Sequence, residues 1–154
     1  MREENPRLPS HSLKSFAFAF FEHCQLLQVG DKNRAYSDFL EYKVRVPVCG
    51  AIIVQEGGKE VLLVRGWKAQ ASWSFPKGKI NKNERETDCA LREVFEETGF
   101  DASSYLRPNE YIERTIKEQK IRLYILMGIP ASTLFETQTR KEIGDIRYAL
   151  ILKS

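Results

Sequence analysis

The segment from Gly78 to Phe100 reads GKINKNERETDCALREVFEETGF and carries the most informative pattern of the chain. Its fixed positions after Gly78 are Glu84, Arg92, Glu93, Val94, Glu96, Glu97, Gly99 and Phe100. Turn-forming residues dominate its first part, which predicts a loop leading into a helix. Asn83 with Glu86 is a candidate capping pair at the start of that helix, and Gly99 is a stop signal just past its end.

Three glutamates of the predicted helix share one face. Glu93, Glu96 and Glu97 stand at i, i+3 and i+4, so their carboxylates are neighbours and repel one another. A divalent cation that prefers oxygen ligands, such as Mg²⁺ or Mn²⁺, relieves this repulsion. We expect Arg92 to pair with one of the acids and hold it in position. The alternative interpretation is a solvated acidic face without function, which is typical of many charge clusters.

The spacing G-x5-E-x7-R-E-U-x-E-E-x-G-U, with U an apolar residue, is that of the Nudix box, so the segment resembles the Nudix hydrolases. The resemblance implies an α+β Nudix fold, in which a mixed β-sheet is sandwiched between helices. It implies metal binding by the three glutamates and by the backbone carbonyl of Gly78. Arg92 and Glu84 are expected to support the site. The reaction implied is hydrolysis of a nucleoside diphosphate linked to another group.

Length and composition set the remaining bounds. The chain has 154 residues and a formal net charge of +3, enough for one well-cored domain with an appendage. Because the protein is net basic although it has this acidic face, its excess Lys and Arg side chains must lie on other surfaces. Such a distribution suits a polyanionic substrate. The three cysteines form no C-x-x-C pair, so we expect buried thiols and a reducing compartment. Neither a membrane span nor a signal peptide is indicated, which favours a soluble intracellular protein.

Residues 1–44 are predicted to form a helical segment that precedes a domain at 45–154. Apolar residues recur every three or four positions from Leu13 to Leu27, and a second short helix is expected from Asn33 to Tyr42. Two such helices bury little by themselves, so we expect them to pack on the body, on each other in a larger domain, or on a partner. Because the segment starts abruptly, we interpret it as the end of a helical domain whose beginning is absent.

The domain at 45–154 is predicted to be mainly strands around the acidic helix. Gly57-Gly58 and Glu118-Gln119 are the expected hairpin turns. The predicted strands are 46–55, 60–65, 73–75, 111–117, 120–127 and 145–152. A further helical element is expected from Thr137 to Ile143.

Hydrolysis at such a site needs a base to take a proton from the attacking water. The two histidines, His11 and His23, lie in the N-terminal helical segment, so we expect the base to be a carboxylate. Glu142 is the candidate, although a glutamate in that position is otherwise ordinary surface decoration. Lys77 and Lys79 flank Gly78 and are candidates to bind substrate phosphate, or simply surface lysines.

A narrower resemblance covers Leu8 to Tyr148. The stretches VPVCGAIIVQ, GWKAQASWSFPKGK, IRLYILMGIP and TRKEI resemble the catalytic subunit of the eukaryotic mRNA-decapping enzyme, of fungal type. This resemblance implies cleavage of the 5′ cap of mRNA to 7-methyl-GDP and 5′-monophosphate RNA, with Glu142 as general base on a mobile loop. It implies a cytoplasmic location, including P-bodies, with capped mRNA as substrate.

Two departures from the decapping family are expected to matter. The resemblance implies that the family's regulatory domain, which holds the contact to the decapping-activator subunit and an aromatic cap-binding residue, is mostly missing before Met1. It also implies that the family's box B helix, which helps to grip RNA, would begin near Ser154. FFEHCQLL with SDFLEYKVRVP resembles box A, the end of that regulatory domain. We therefore expect an excised catalytic core with weaker RNA binding and slower turnover than the longer protein.

Two other functions remain open at this point: a small-nucleotide hydrolase acting on dinucleoside polyphosphates, and a non-catalytic RNA-binding module. Trp67 and Trp73 are either base-stacking residues or core residues. A set of basic side chains is equally consistent with an RNA path or with solubility; it comprises Arg114, Lys117, Lys120, Arg122, Arg140, Lys141 and Arg147.

Overall fold

The computed structural model describes residues 12–23, 30–139 and 141–151. Contacts between residues divide the chain into two compact units, Met1–Val44 and Arg45–Ser154.

The first unit contains two helices, α1 (Leu13–His23) and α2 (Lys32–Arg45). Each begins at a side-chain cap. The Ser12 hydroxyl accepts a hydrogen bond from the Ser15 N–H at 3.2 Å, and the Asp31 carboxylate accepts two from the first turn of α2 at 3.0 and 3.2 Å. Such bonds satisfy N–H groups that have no partner within the helix. Both predicted helices are confirmed, and the predicted end of the first one lies outside the described residues.

The second unit is built from seven strands and one helix among its described residues. These are β1 (Val48–Gln55), β2 (Glu60–Gly66), β3 (Trp73–Ser74), β4 (Lys77–Lys79), α3 (Glu86–Thr98), β5 (Tyr111–Ile116), β6 (Gln119–Ile129) and β7 (Ile143–Leu150). The main strand order is β3-β2-β1-β6-β5, with β4 paired to β1 and β7 paired to β2. The β1–β6 pair is parallel and the other pairs are antiparallel, which confirms the predicted mixed sheet.

Strand β1 is the centre of the sheet and of the core. Its β-branched run is buried on nearly every residue, because β4 and β2 cover one edge, β6 covers the other, and α3 packs on its face. Gly50 is required there, since a Cβ atom would lie 2.1 Å from the Pro76 carbonyl oxygen. Because the backbones of β1 and of the segment leading into β4 approach so closely at this glycine, β4 lies beneath α3.

Both predicted hairpins form, the first with its turn at the predicted residues. Gly57 and Gly58 adopt φ angles of 91° and 69°, a left-handed conformation that glycine adopts without a steric penalty. Lys117 and Glu118 also have positive φ angles, 46° and 66°, between β5 and β6. The second turn therefore lies one residue earlier than the pair Glu118-Gln119 that the sequence predicts.

Helix α3 presents Cys89, Ala90, Val94 and Thr98 to the core. It ends as predicted: Gly99 has φ 71° and donates its N–H to the Phe95 carbonyl at 2.8 Å.

Its predicted start is wrong. Arg85, not Asn83, is the N-cap residue, and it makes no side-chain capping bond. Asn83 has a φ angle of 62°, whereas an N-cap residue is normally extended.

Two other predictions need correction. Residues Lys77–Lys79, predicted to be loop, form β4, because their backbone pairs with Val48–Gly50 of β1. No helix forms from Thr137 to Ile143 among the described residues of that segment. Its backbone instead bonds to α3, with the Gln138 N–H 2.8 Å from the Glu96 carbonyl oxygen. None of the helices in the described ranges 12–23, 30–139 and 141–151 is long and apolar enough to cross a membrane.

Candidate active site

The acidic face of α3 points away from the core, as the spacing predicts. Ala90 and Val94 are buried against the sheet and fix the rotation of the helix. Glu93, Glu96 and Glu97 therefore line one side of it. The Glu93 side chain is 13% exposed and that of Glu96 is 40% exposed, so exposure to solvent increases from the first acid to the second.

Gly78 lies directly against Glu93. Pairing of β4 with β1 places Gly78 opposite Cys49, under the first turns of α3. A Cβ atom added to Gly78 would lie 2.1 Å from the Glu93 carboxyl carbon, a distance that real Cβ atoms do not tolerate. The glycine thus forms a cradle for this carboxylate, which is a reason for a glycine at the first position of the motif.

Arg92 holds the acids together. It makes a bidentate pair with Glu84, with Nε–Oε1 and Nη2–Oε2 distances of 2.8 and 3.0 Å. Its Nη1 donates to Glu93 at 2.6 Å and to Glu96 at 3.4 Å. Its Nη2 also donates to the Lys79 carbonyl oxygen at 3.1 Å, which ties the helix to β4. One guanidinium group therefore anchors three of the four acids of the motif.

The pKa values of the glutamates show which carboxylates have their negative charge balanced by a nearby cation and which do not. Burial raises the pKa of Glu97 to about 7, and the charges of Glu93 and Glu142 add to the rise, although the Lys77 N–H donates to Glu97 at 3.2 Å. Burial also raises the pKa of Glu93, against the opposing effect of Arg92. By contrast, hydrogen bonds from Arg92 lower the pKa of Glu84 to about 2.

Glu142 approaches this cluster from another part of the chain. It is an exposed residue immediately before β7, and its charge raises the pKa values of both Glu93 and Glu97. Its carbonyl oxygen accepts a hydrogen bond from the Trp67 N–H at 2.9 Å. The structure thus brings Glu142, the predicted base, to the acidic helix, although it follows Glu97 by 45 positions in the sequence. Trp67 as its backbone anchor was not predicted, because no sequence signal marks a main-chain donor.

The two candidate lysines differ in surroundings. Lys77 is half-buried, and its side chain lines a mainly apolar cavity of about 340 Å³ beside the sheet. Lys79 is exposed and uses its carbonyl oxygen to bind Arg92. Of the basic residues considered as an RNA path, Lys120 and Arg122 form ion pairs with both Glu86 and Glu113, so their charges are already compensated. Arg140 lies outside the described residues.

The donor set fits a hard divalent cation. It consists of partly buried carboxylates, one of them cradled on Gly78, with raised pKa values at Glu93 and Glu97. Within residues 12–23, 30–139 and 141–151, however, no three Asp, Glu, His or Cys side chains converge closely enough to hold an ion as they stand. Glu93 and Glu96 are turned to Arg92, so a cation would have to draw their free oxygens towards Glu97.

Comparison with known families supports the pattern. Residues 44–151 match the NUDIX domain family. The chain is also similar to solved structures of this fold. One is a C. elegans Ap4A hydrolase binary complex, with a TM-score of 0.55 and 20% identity over 68% of this chain and 80% of that one. Another is a MutT NUDIX hydrolase from Burkholderia pseudomallei, with a TM-score of 0.51 and 20% identity over 67% and 81%. These likenesses confirm the predicted Nudix fold.

Similarity to curated proteins is much higher. The chain is 51% identical over 150 residues to mRNA decapping complex subunit 2 of Schizosaccharomyces pombe, and 47% identical over 148 residues to mRNA-decapping enzyme subunit 2 of Arabidopsis thaliana. It is 40% identical over 146 residues to the m7GpppN-mRNA hydrolase of Saccharomyces cerevisiae. These matches cover 96%, 95% and 94% of the chain but only 20%, 39% and 15% of those proteins. The predicted resemblance to decapping enzymes is confirmed.

Proposed function

Because the chain belongs to the NUDIX family, we propose that it hydrolyses the 5′ cap of mRNA, releasing 7-methyl-GDP and RNA with a 5′-monophosphate. The observation that supports this most strongly is the combination of an intact acidic helix with 51% identity, over nearly the whole chain, to a decapping complex subunit. Fold likeness alone would not select this substrate, since one fold serves many reactions.

Nudix hydrolases use divalent metal cations, and here we propose Mg²⁺ or Mn²⁺. Glu93, Glu96, Glu97 and the Gly78 carbonyl would hold the ion. When bound, such a cation supplies neutralisation of phosphate charge and acidifies a nearby water molecule. The chain's own residues position these acids. Arg92, itself held by Glu84, fixes the N-terminal end of the row of acids, and the Lys77 N–H fixes Glu97.

We assign proton removal from the attacking water to Glu142. The effect of its charge on Glu93 and Glu97 supports this role, as does its exposure, which lets it exchange a proton with solvent. Lys77 and Lys79 are assigned to phosphate oxygens, as point charges on either side of Gly78. We place the activity in cytoplasmic mRNA decay, including P-bodies, with a decapping-activator subunit as partner.

Two alternatives are separated by one experiment. Turnover of RNA labelled in its cap is compared with turnover of free cap dinucleotide and of a dinucleoside polyphosphate, at equal concentrations and with Mn²⁺. We expect kcat/KM to be highest for capped RNA. A higher kcat/KM for the free dinucleotides would indicate a small-nucleotide hydrolase. RNA binding without turnover of any substrate would indicate a non-catalytic module.

A further inference from the structure

An open cleft lies beside the candidate active site and is not accounted for by the acidic residues. Its volume is about 570 Å³, within the usual range for small-molecule sites. Trp67 forms one side of it, while Thr137, Thr139, Lys141 and Ile143 contribute to the rest.

Both walls of the cleft are attached to proposed site residues. On one side the Thr137 hydroxyl and the Gln138 N–H donate to the Glu96 carbonyl oxygen, at 3.4 and 2.8 Å. On the other side the Trp67 N–H donates to the Glu142 carbonyl oxygen at 2.9 Å. Hydrogen bonds to backbone carbonyl oxygens therefore connect the cleft to the acidic helix on one side and to the proposed base on the other.

The Trp67 ring is unusually exposed. The residue is 64% exposed, although tryptophan is highly buried on average. Within the described ranges 12–23, 30–139 and 141–151, no aromatic ring or cation stacks on it.

The second tryptophan is different. Trp73 is half-buried, and the Arg147 guanidinium covers its ring at 3.9 Å from the centroid, with Arg65 at 5.2 Å. Of the two candidates raised by the sequence, Trp67 alone combines an exposed side chain with a place in this cleft.

The backbone holds Trp67 in place whatever its ring contacts. A Cβ atom on Gly144 would lie 3.2 Å from the Trp67 Cα and 3.4 Å from the Gly66 carbonyl oxygen, closer than most real Cβ contacts. The ends of β2 and β7 are therefore packed tightly at this point. A rigid main chain that carries an exposed ring gives a stacking platform at a low cost in conformational entropy.

We propose that Trp67 stacks on the nucleobase that flanks the scissile phosphate, with the polar residues of the cleft facing the edge of that base. The inference rests on the proposed function and extends it to a base-binding subsite. Stacking on an aromatic side chain accepts any base, because every base has a π face. The base comes either from the 7-methylguanosine or from the first RNA nucleotide, and the two sources are distinguished by experiment.

Fluorescence tests the contact directly, since the chain has two tryptophans. In Trp73→Phe the emission comes from Trp67 alone, and in Trp67→Phe it comes from Trp73 alone. Each variant is titrated with 7-methyl-GDP and, separately, with a 5′-phosphorylated RNA dinucleotide. We expect saturable quenching only in Trp73→Phe, and the ligand that quenches at lower concentration identifies the source of the base. Equal responses of the two variants, or no quenching of Trp67 by either ligand, would overturn the proposal.

Kinetics separate stacking from a structural role. Trp67→Ala removes the ring but keeps the N–H that binds Glu142. We expect its KM for capped RNA to rise on the order of 5- to 100-fold, with kcat and thermal stability nearly unchanged. Trp67→Phe should recover most of the loss. Leu134→Ala, which truncates a side chain that is 91% exposed and does not line the cleft, is the control.

The experiments give different results if the base-binding subsite is wrong and if the proposed function is wrong. Unchanged KM in Trp67→Ala, with capped RNA still hydrolysed, would reject the base-binding subsite alone. Absence of hydrolysis in the wild-type chain would reject the proposed function, whereas quenching of Trp67 would still establish the subsite.

Discussion

Gly78 and Glu93 are in such close contact that a single methyl group cannot be placed between them. The Cβ of an alanine at position 78 would lie 2.1 Å from the Glu93 carboxyl carbon and 2.2 Å from its Oε2. Because Arg92 holds the other oxygen of Glu93 at 2.6 Å, the carboxylate cannot move away without losing that bond. The geometry of β4 and the orientation of the first acid are therefore coupled.

Gly78→Ala should accordingly displace Glu93 rather than unfold the protein. We expect cation affinity and cap hydrolysis to fall by at least about 10-fold, with a loss of stability of about 1–2 kcal/mol. Cation titration and thermal unfolding measure the two effects. Gly30→Ala is the matched control, since nothing lies within 4 Å of a Cβ at that position. Full cation affinity in Gly78→Ala would show that Glu93 is not a ligand.

The Glu84–Arg92 pair should appear as a pH-dependent part of stability. Arg92 lowers the pKa of Glu84 to about 2, from an ordinary value of 4.5. A lowered carboxyl pKa stabilises the folded state above the unfolded pKa, so this contribution is present above about pH 4.5 and is lost as the pH falls towards 2.

Urea unfolding of wild type and Glu84→Gln at several pH values tests this. We expect Glu84→Gln to be less stable at pH 7, with the difference shrinking below pH 4.5. Glu110→Gln, which removes an exposed pair with Arg107, is the control and should show a small effect. A Glu84→Gln deficit that stays constant down to pH 3 would contradict the role of the pair.

Much of this arrangement was predictable from the sequence, because α3 is specified locally. The spacing of Glu93, Glu96 and Glu97 and the stop at Gly99 both depend on residues within one helix.

The predictions that failed concern segments whose structure is determined by contacts with residues distant in the sequence. Three residues, KGK, have too little pattern to predict β4, which exists because β1 lies beside it. The helix expected from Thr137 to Ile143 is absent from the described residues, because the segment bonds to Glu96 instead. The roles of the site residues themselves remain predictions.

Glu97→Gln should separate two effects of the Glu97 carboxylate: the loss of stability caused by its burial and the binding of a cation. Burial raises the pKa of Glu97 to about 7, so its ionised form is unfavourable without a cation. In metal-free buffer we expect Glu97→Gln to unfold at the same temperature as wild type or higher. With Mn²⁺ at about 100 times its dissociation constant, only wild type should gain about 2.7 kcal/mol.

The control for this prediction is Glu118→Gln, which alters an acid in the β5–β6 turn. It should leave the stabilisation by Mn²⁺ intact. Equal stabilisation of Glu97→Gln and wild type would show that Glu97 is not a ligand.

Glu142→Gln should lower kcat far more than it changes substrate or cation affinity. The substitution removes the base but keeps the carbonyl that accepts from Trp67. We expect kcat for capped RNA to fall by about 10²- to 10⁴-fold, as is typical of general-base removal. Single-turnover kinetics and Mn²⁺ titration give the two quantities. A normal kcat would assign proton removal to another group.

The most direct measurement is product analysis on RNA that carries a radioactive phosphate in its cap. Wild type and Glu97→Gln are incubated with it in the presence of Mn²⁺. The account predicts release of 7-methyl-GDP by wild type alone, which would place cap hydrolysis on the acidic face of α3. Intact capped RNA in both reactions, with free dinucleotides cleaved by wild type, would contradict it.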